Sequence, residues 1–234
     1  MVTQRRERSD QRKSALIAGT ALMIMTLAAL FSYGFVHTRL MEQGNAGAIV
    51  QRIISQNHLF KAEILGWMII LLCDIVVAWS SYVFLKPTNK NLALLGAWLR
   101  LVYATLLGIA ITNLLFVLLL TNRTDYLSSF TPNQLGAQVM LHLKAFESIW
   151  SVGLIVFGAH LLILGILTFQ SDSVPRWIGI LLLLASMGYI LIHLDKLFFA
   201  DYGEIGTILE AIFIVPMTLG EIGFGLWLLF RGGK

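Results

Sequence analysis

The chain has 234 residues, 57% of them hydrophobic and only 13% charged. Soluble domains carry about a quarter charged residues, so that class is excluded. Seventeen Lys and Arg against thirteen Asp and Glu leave a net charge of +4, too weak for a nucleic-acid surface, and no nucleic-acid partner is expected.

A mean hydropathy of +0.79 goes with several apolar runs of about 20 residues, the length a helix needs to cross a bilayer. Six helical spans follow, at about 15–36, 64–85, 92–120, 149–169, 178–197 and 209–230. The period-2 alternation of barrel strands is absent. The expected fold is therefore all-α: a polytopic bundle of six transmembrane helices, with a basic cytoplasmic segment over 1–14 and one six-span domain over 15–231. Ahead of the first span, Arg5, Arg6, Arg8, Arg12 and Lys13 resemble the basic region of a signal peptide. The apolar run behind them lacks a small-x-small cleavage site, so an uncleaved anchor is expected. The sole cysteine, Cys73, lies inside an apolar run and leaves no intramolecular disulfide to form.

Between spans one and two, Ala48, Ile49, Arg52, Ile53 and Gln56 follow a helical rhythm and predict an amphipathic helix on the outer leaflet. Lys86-Pro87-Thr88-Asn89-Lys90-Asn91 and Ser171-Asp172-Ser173-Val174-Pro175-Arg176 are short connections that make antiparallel neighbours of spans two and three, and of four and five. Proline suits the approach to a helix start, where a missing N–H costs nothing. The outer stretches 37–63 and 121–148 are long and polar. Within the second, Thr131 predicts a helix cap and Pro132 the first helical position.

Lys and Arg placement sets orientation. With a cytoplasmic N-terminus, the inner segments hold ten: five in the head, then Lys86, Lys90, Arg176, Arg231 and Lys234. The outer segments hold six: Arg39, Arg52, Lys61, Arg123, Lys144 and Lys196. Both termini are expected in the cytoplasm and the protein in the plasma membrane.

Four ionisable side chains lie deep in the spans: Asp74, Arg100, His160 and Glu221. Each charge at the bilayer centre costs roughly 2.5–3.5 kcal/mol on insertion scales. At 1.5 Å per residue, Asp74 lies about 18 Å from the cytoplasmic edge, Arg100 about 14 Å, and His160 and Glu221 about 15 Å. Four helices thus place polar groups in one layer, and intramembrane ionisable groups mark sites by default. Beside Arg100, the residues Ala93, Gly96, Ala97, Tyr103 and Ala104 form a mainly small strip that lets another helix approach. Trp67, Ala78 and Ser81 share a face with Asp74; Thr218 and Gly225 share one with Glu221, below a Pro216 that should bend its helix. Asp74 with Arg100 is the natural salt bridge, and His160 with Glu221 the second expected pair. Tyr103, Ser81 and Thr218 are the expected supporting residues.

A second collection, His58, Glu63, His142, Glu147, His193, Asp195 and Glu204, falls near the outer face. None of it has zinc-ligand spacing on one helix face, so these are expected to be solvated rim residues, with no metal site. Trp67, Trp98, Trp150, Trp177 and Trp227 mostly lie near span ends, as interface aromatics do. There is no GxSxG serine, no mid-span Lys for retinal, no Walker motif and no mid-span His pair for haem, and no cofactor is indicated.

One set of residues carries a resemblance. Asp74 is followed by Tyr82-Val83-Phe84-Leu85-Lys86-Pro87 and Asn89-Lys90-Asn91-Leu92-Ala93-Leu94-Leu95, then Arg100, Phe157-Gly158-Ala159-His160-Leu161, Val174-Pro175-Arg176, Gly188-Tyr189 and Gly220-Glu221. Over nearly its whole length the chain resembles the bacterial domain-of-unknown-function family 4386. The resemblance implies a polytopic membrane protein and supplies no activity. The leading expectation is binding or transport of a small polar or amphiphilic ligand at the buried layer. Asp74 and Arg100 would act there as a charge-compensated gate, and His160 with Glu221 as a proton-titratable site. A homo-oligomer would offset the small size of the chain. The alternatives are a membrane enzyme, with Glu221 or Asp74 as base and His160 as acid or metal ligand, and an interaction protein whose charges only fix helix pairing.

Overall fold

A computed structural model describes residues 2–41, 46–122, 130–199 and 204–233, with the side chains of 2–8 and of Glu204 excepted. The side chains of Arg5, Arg6, Arg8 and Glu204, and all of Arg123 and Lys234, therefore lie outside the described residues. Seven helices run in order. Helix α1 is Val2–Ala29, passing without a break through a π-helical turn at Leu30–His37 into Thr38–Leu40. Then come α2 (Ala46–Ser55), α3 (Asn57–Leu85), α4 (Lys90–Thr121), α5 (Pro132–Gln170), α6 (Arg176–Phe198) and α7 (Glu204–Phe230). All but α2 are long and apolar enough to span a membrane, which makes six spans, and no strand occurs among the described residues.

The helices run past the hydropathic limits. Helix α5 has 39 residues, about 58 Å at 1.5 Å per residue, against a hydrocarbon core of about 30 Å. The polar residues 132–148 are thus the beginning of the same helix, because charged residues lower hydropathy without breaking backbone hydrogen bonds. Its start is the one expected. Thr131 Oγ1 accepts from the Gln134 N–H at 3.3 Å while Gln134 Oε1 accepts from the Thr131 N–H at 2.9 Å, a reciprocal capping box. Asn89 Oδ1 likewise accepts from the N–H groups of Asn91 and Leu92, both at 3.1 Å, and opens α4.

Helix α2 corrects one expectation. Its apolar residues Ile49, Val50 and Ile53 are buried in protein and not laid on lipid, and Ala46 lies against Gly136 of α5. An amphipathic face seeks any apolar surface, and here the extended start of α5 offers one.

Two compact units are formed. The first is Met1–Thr26, Leu72–Thr105 and Ser151–Lys234; the second is Leu27–Leu71 and Leu106–Trp150. In the first unit α5 and α6 pack closely because glycines leave room. A Cβ on Gly165 would come within 2.9 Å of Leu183, and one on Gly179 within 2.9 Å of the Phe169 backbone. The same unit ties its two chain ends together. Arg12 donates to the carbonyls of Leu228, Leu229 and Gly232 at 2.8–3.2 Å, satisfying the open C-terminus of α7, and the turn that follows the helix carries Gly233 at φ +70°.

Candidate functional site

Three of the four deep ionisable residues meet directly in the first unit. Asp74 on α3, Arg100 on α4 and His160 on α5 are 0%, 1% and 2% exposed. The short connection between α3 and α4 makes them neighbours, so the two residues that sequence depth placed in one layer come together across the pair. Arg100 donates from Nε at 2.9 Å and from Nη2 at 2.7 Å, both to Asp74 Oδ1. Its Nη1 donates to His160 Nε2 at 3.2 Å, and His160 Nδ1 donates to the Gly96 carbonyl at 2.8 Å. These partners select the neutral imidazole with its proton on Nδ1, since Nε2 must accept. Gly96 meets the ring through its backbone carbonyl on α4.

The expected pairing of His160 with Glu221 is not formed. Both imidazole nitrogens are engaged elsewhere, and Glu221 on α7 accepts from the Tyr189 hydroxyl of α6 at 2.6 Å. Glu221 joins the centre by another route. It lines, with Arg100, Leu22, Leu161, Leu182 and Phe224, a cavity of about 10 Å³, the room of one water molecule. A second cavity of the same size adjoins His160, bordered by Ser81, Ala93 and Gly96. Aromatic rings connect these groups. The Arg100 guanidinium lies 5.3 Å from the Phe157 ring centre, and Phe157 touches Tyr103 at 4.9 Å and Tyr189 at 5.1 Å.

Two buried atoms of the centre lack a hydrogen-bond partner, Asp74 Oδ2 and Ser81 Oγ. Of the supporting residues, Tyr103 and Ser81 are buried beside the centre, whereas Thr218 is exposed. Phe224 marks the inward side of α7, and six residues of helix turn Thr218 about 120° away from it.

The second unit holds a cluster that sequence depth did not find. Glu63, expected on a solvated rim, is completely buried, with Oε1 2.7 Å from His37 Nδ1 and 3.4 Å from Trp67 Nε1. His37 Nε2 faces Glu147 Oε1 at 3.8 Å, and Lys144 bonds Glu147 at 2.8 Å. The available signal was connectivity: His37 closes span one and Glu63 opens span two, so a chain that turns back puts both at one end. The remaining rim residues divide. His193 is buried against Ser151 at 3.2 Å and His142 bonds Asn113 at 3.1 Å, while His58 is exposed. Asp195 has a buried Oδ2 without a partner. Among the described residues no group of three His, Cys, Asp or Glu side chains is placed to hold a metal.

The family model described as "Domain of unknown function (DUF4386)" matches residues 17–232. An uncharacterized protein of Archaeoglobus fulgidus is 33% identical over 174 residues, covering 74% of this chain and 85% of its own. No solved structure matches.

Proposed function

We propose that this chain, which belongs to the DUF4386 family, binds and passes a small polar or amphiphilic ligand through the membrane at the Arg100 centre. One observation carries the reading: a guanidinium that is 1% exposed lies between Asp74 and a water-sized cavity that it shares with Glu221. Asp74 compensates the permanent charge. The planar fork of Arg100 has five N–H donors, more than Asp74 and His160 take up, and suits an acceptor oxygen of the ligand. Glu221, held by Tyr189, is the group that exchanges a proton as the ligand passes.

A cavity of about 10 Å³ admits nothing larger than water, so loading requires a helix to move. Helix α7 is suited to that. Its span is 22% buried, less than any other, and it carries both Pro216 and Glu221. The enzyme alternative gains no support, because both nitrogens of His160 are already bonded and leave none for a metal or a substrate proton. Reporting side and compartment belong to the same proposal. The ten-to-six distribution of Lys and Arg supports cytoplasmic termini for a single six-span domain in the plasma membrane.

Untargeted native mass spectrometry of the protein in native lipid particles tests the reading. A bound small molecule should accompany the wild type and be lost from the Asp74→Leu/Arg100→Leu variant, with folding retained. The same adducts in both, or none in either, would leave the charges as helix-pairing elements only.

A further inference from the structure

The cluster in the second unit plays no part in the Arg100 centre, and its geometry is that of a relay. We propose that His37 carries a proton between the half-exposed carboxylate of Glu147 and the buried carboxylate of Glu63, which makes Glu63 a proton-binding site reached from the aqueous side where Lys144 lies.

The order of exposure is the first argument. Along the line, Lys144 is 68% exposed, Glu147 41%, His37 5% and Glu63 0% by side chain. An imidazole is the side chain suited to the middle position. It presents one nitrogen to each carboxylate, at 2.7 Å to Glu63 and 3.8 Å to Glu147, so it can take a proton on one side and give one on the other. The transfer balances. Glu147 in its acid form gives its proton to His37 Nε2, His37 Nδ1 gives its own to Glu63 Oε1, and the imidazole changes tautomer without changing charge. Running the exchange backward restores the starting state.

The second argument is the acceptor. Glu63 Oε2 is buried and has no hydrogen-bond partner, and its Oε1 takes only His37 and Trp67. A buried polar atom left without a partner is costly, and a proton delivered there is one way to give it one. Aromatic rings enclose the pair. Tyr33 stacks on His37 at 5.5 Å, Phe146 lies 5.9 Å from it, and Trp67 touches Phe146 and Trp150 at 5.3 and 4.9 Å. The unit's other described charged or imidazole groups lie elsewhere or are engaged. On α1 Arg39 is exposed, 6.0 Å from the Phe35 ring; helix α2 offers Arg52, which reaches the Leu40 carbonyl at 3.5 Å; residues 106–121 of α4 hold none; on α3 and α5, His58 and Lys61 are exposed and His142 is engaged by Asn113. The π-helical turn that carries Tyr33 and His37 is a costly local geometry of the kind that gathers at functional sites.

The test is time-resolved infrared spectroscopy of the full chain in lipid vesicles after a downward pH jump, with Glu221→Gln in every sample so that the proton-exchanging carboxylate of the first unit adds no band. A protonated-carboxyl band should rise in that reference protein and be missing when Glu63→Gln is added. In Glu147→Gln the band should reach the same height but rise roughly a hundredfold more slowly, the scale of a lost positioned acid or base. Glu147 is half exposed and its replacement keeps its shape, so this variant decides the matter even where Glu63→Gln fails to fold. A band that persists in Glu63→Gln, or a rise whose rate Glu147→Gln leaves unchanged, overturns the proposal. The Asp74→Leu/Arg100→Leu variant should keep the band, so the two proposals stand or fall separately.

Discussion

Arg100→Leu should be among the most damaging single changes to this protein, and adding Asp74→Leu should repair part of the damage. The single change leaves a carboxylate at 0% exposure with both oxygens unpaired, since Arg100 supplies both of its bonds. Breaking a buried pair from one side costs about 3–5 kcal/mol. The double variant removes that charge and leaves one deficit, the His160 Nε2 acceptor that Arg100 satisfied at 3.2 Å. An orphaned buried acceptor costs about 1–3 kcal/mol. That deficit is common to both variants and cancels, so the double variant should recover about 3–5 kcal/mol, which at 2–4 °C per kcal/mol for a chain of this size is about 6–20 °C of Tm. Thermal melting in a mild detergent, followed by tryptophan fluorescence, measures both variants. Equal instability of single and double would mean that Asp74 is not held as an anion by Arg100, and would refute the argument.

Tyr189→Phe takes away the donor to Glu221 at 2.6 Å and should lower stability by about 1–3 kcal/mol, whereas Glu221→Gln keeps an acceptor for that hydroxyl and should cost less; melting of the two variants side by side checks the order. Reporter fusions placed after Lys234 and within 86–91 should register as cytoplasmic and those within 121–140 as external, and an external C-terminus with a cytoplasmic 86–91 would exclude six spans.

The spans were legible because twenty apolar residues admit few other fates, but their ends were not. Hydropathy stops span one near 36 and starts span two near 64, so His37 and Glu63 each fall just outside, although the helices run on to Leu40 and back to Asn57. Hydropathy weighs side chains, and a helix ends where its backbone bonds end. Thr131 and Gln134 show the converse case, in which the capping chemistry was written in the sequence and marked the true start of α5.

Depth along a helix was equally legible, and rotation about it was not. Asp74 and Arg100 could be paired from sequence because a six-residue connection fixes which helices are neighbours and both side chains are charged. His160 had the right depth, but its partners, the Arg100 guanidinium and the Gly96 carbonyl, depended on how α5 is rotated against α4. Glu221 had the right depth too, and its donor was a neutral tyrosine that a search for charges passes over.

The two clusters differ in the chemistry available to them. A guanidinium stays charged under all ordinary conditions, so whatever surrounds Arg100 must compensate that charge in every state of the protein. Asp74, with both of its bonds from Arg100, is therefore a fixed partner, and change at that centre must come from Glu221 and the cavity beside it. The His37 cluster contains no permanent charge except Lys144 at its exposed end. Its inner members are an imidazole and two carboxylates, side-chain types that exchange protons, and exposure rises from Glu63 to Glu147. A fixed charge suits holding a ligand, and an exchangeable series suits moving a proton. The chain places one of each in separate compact units.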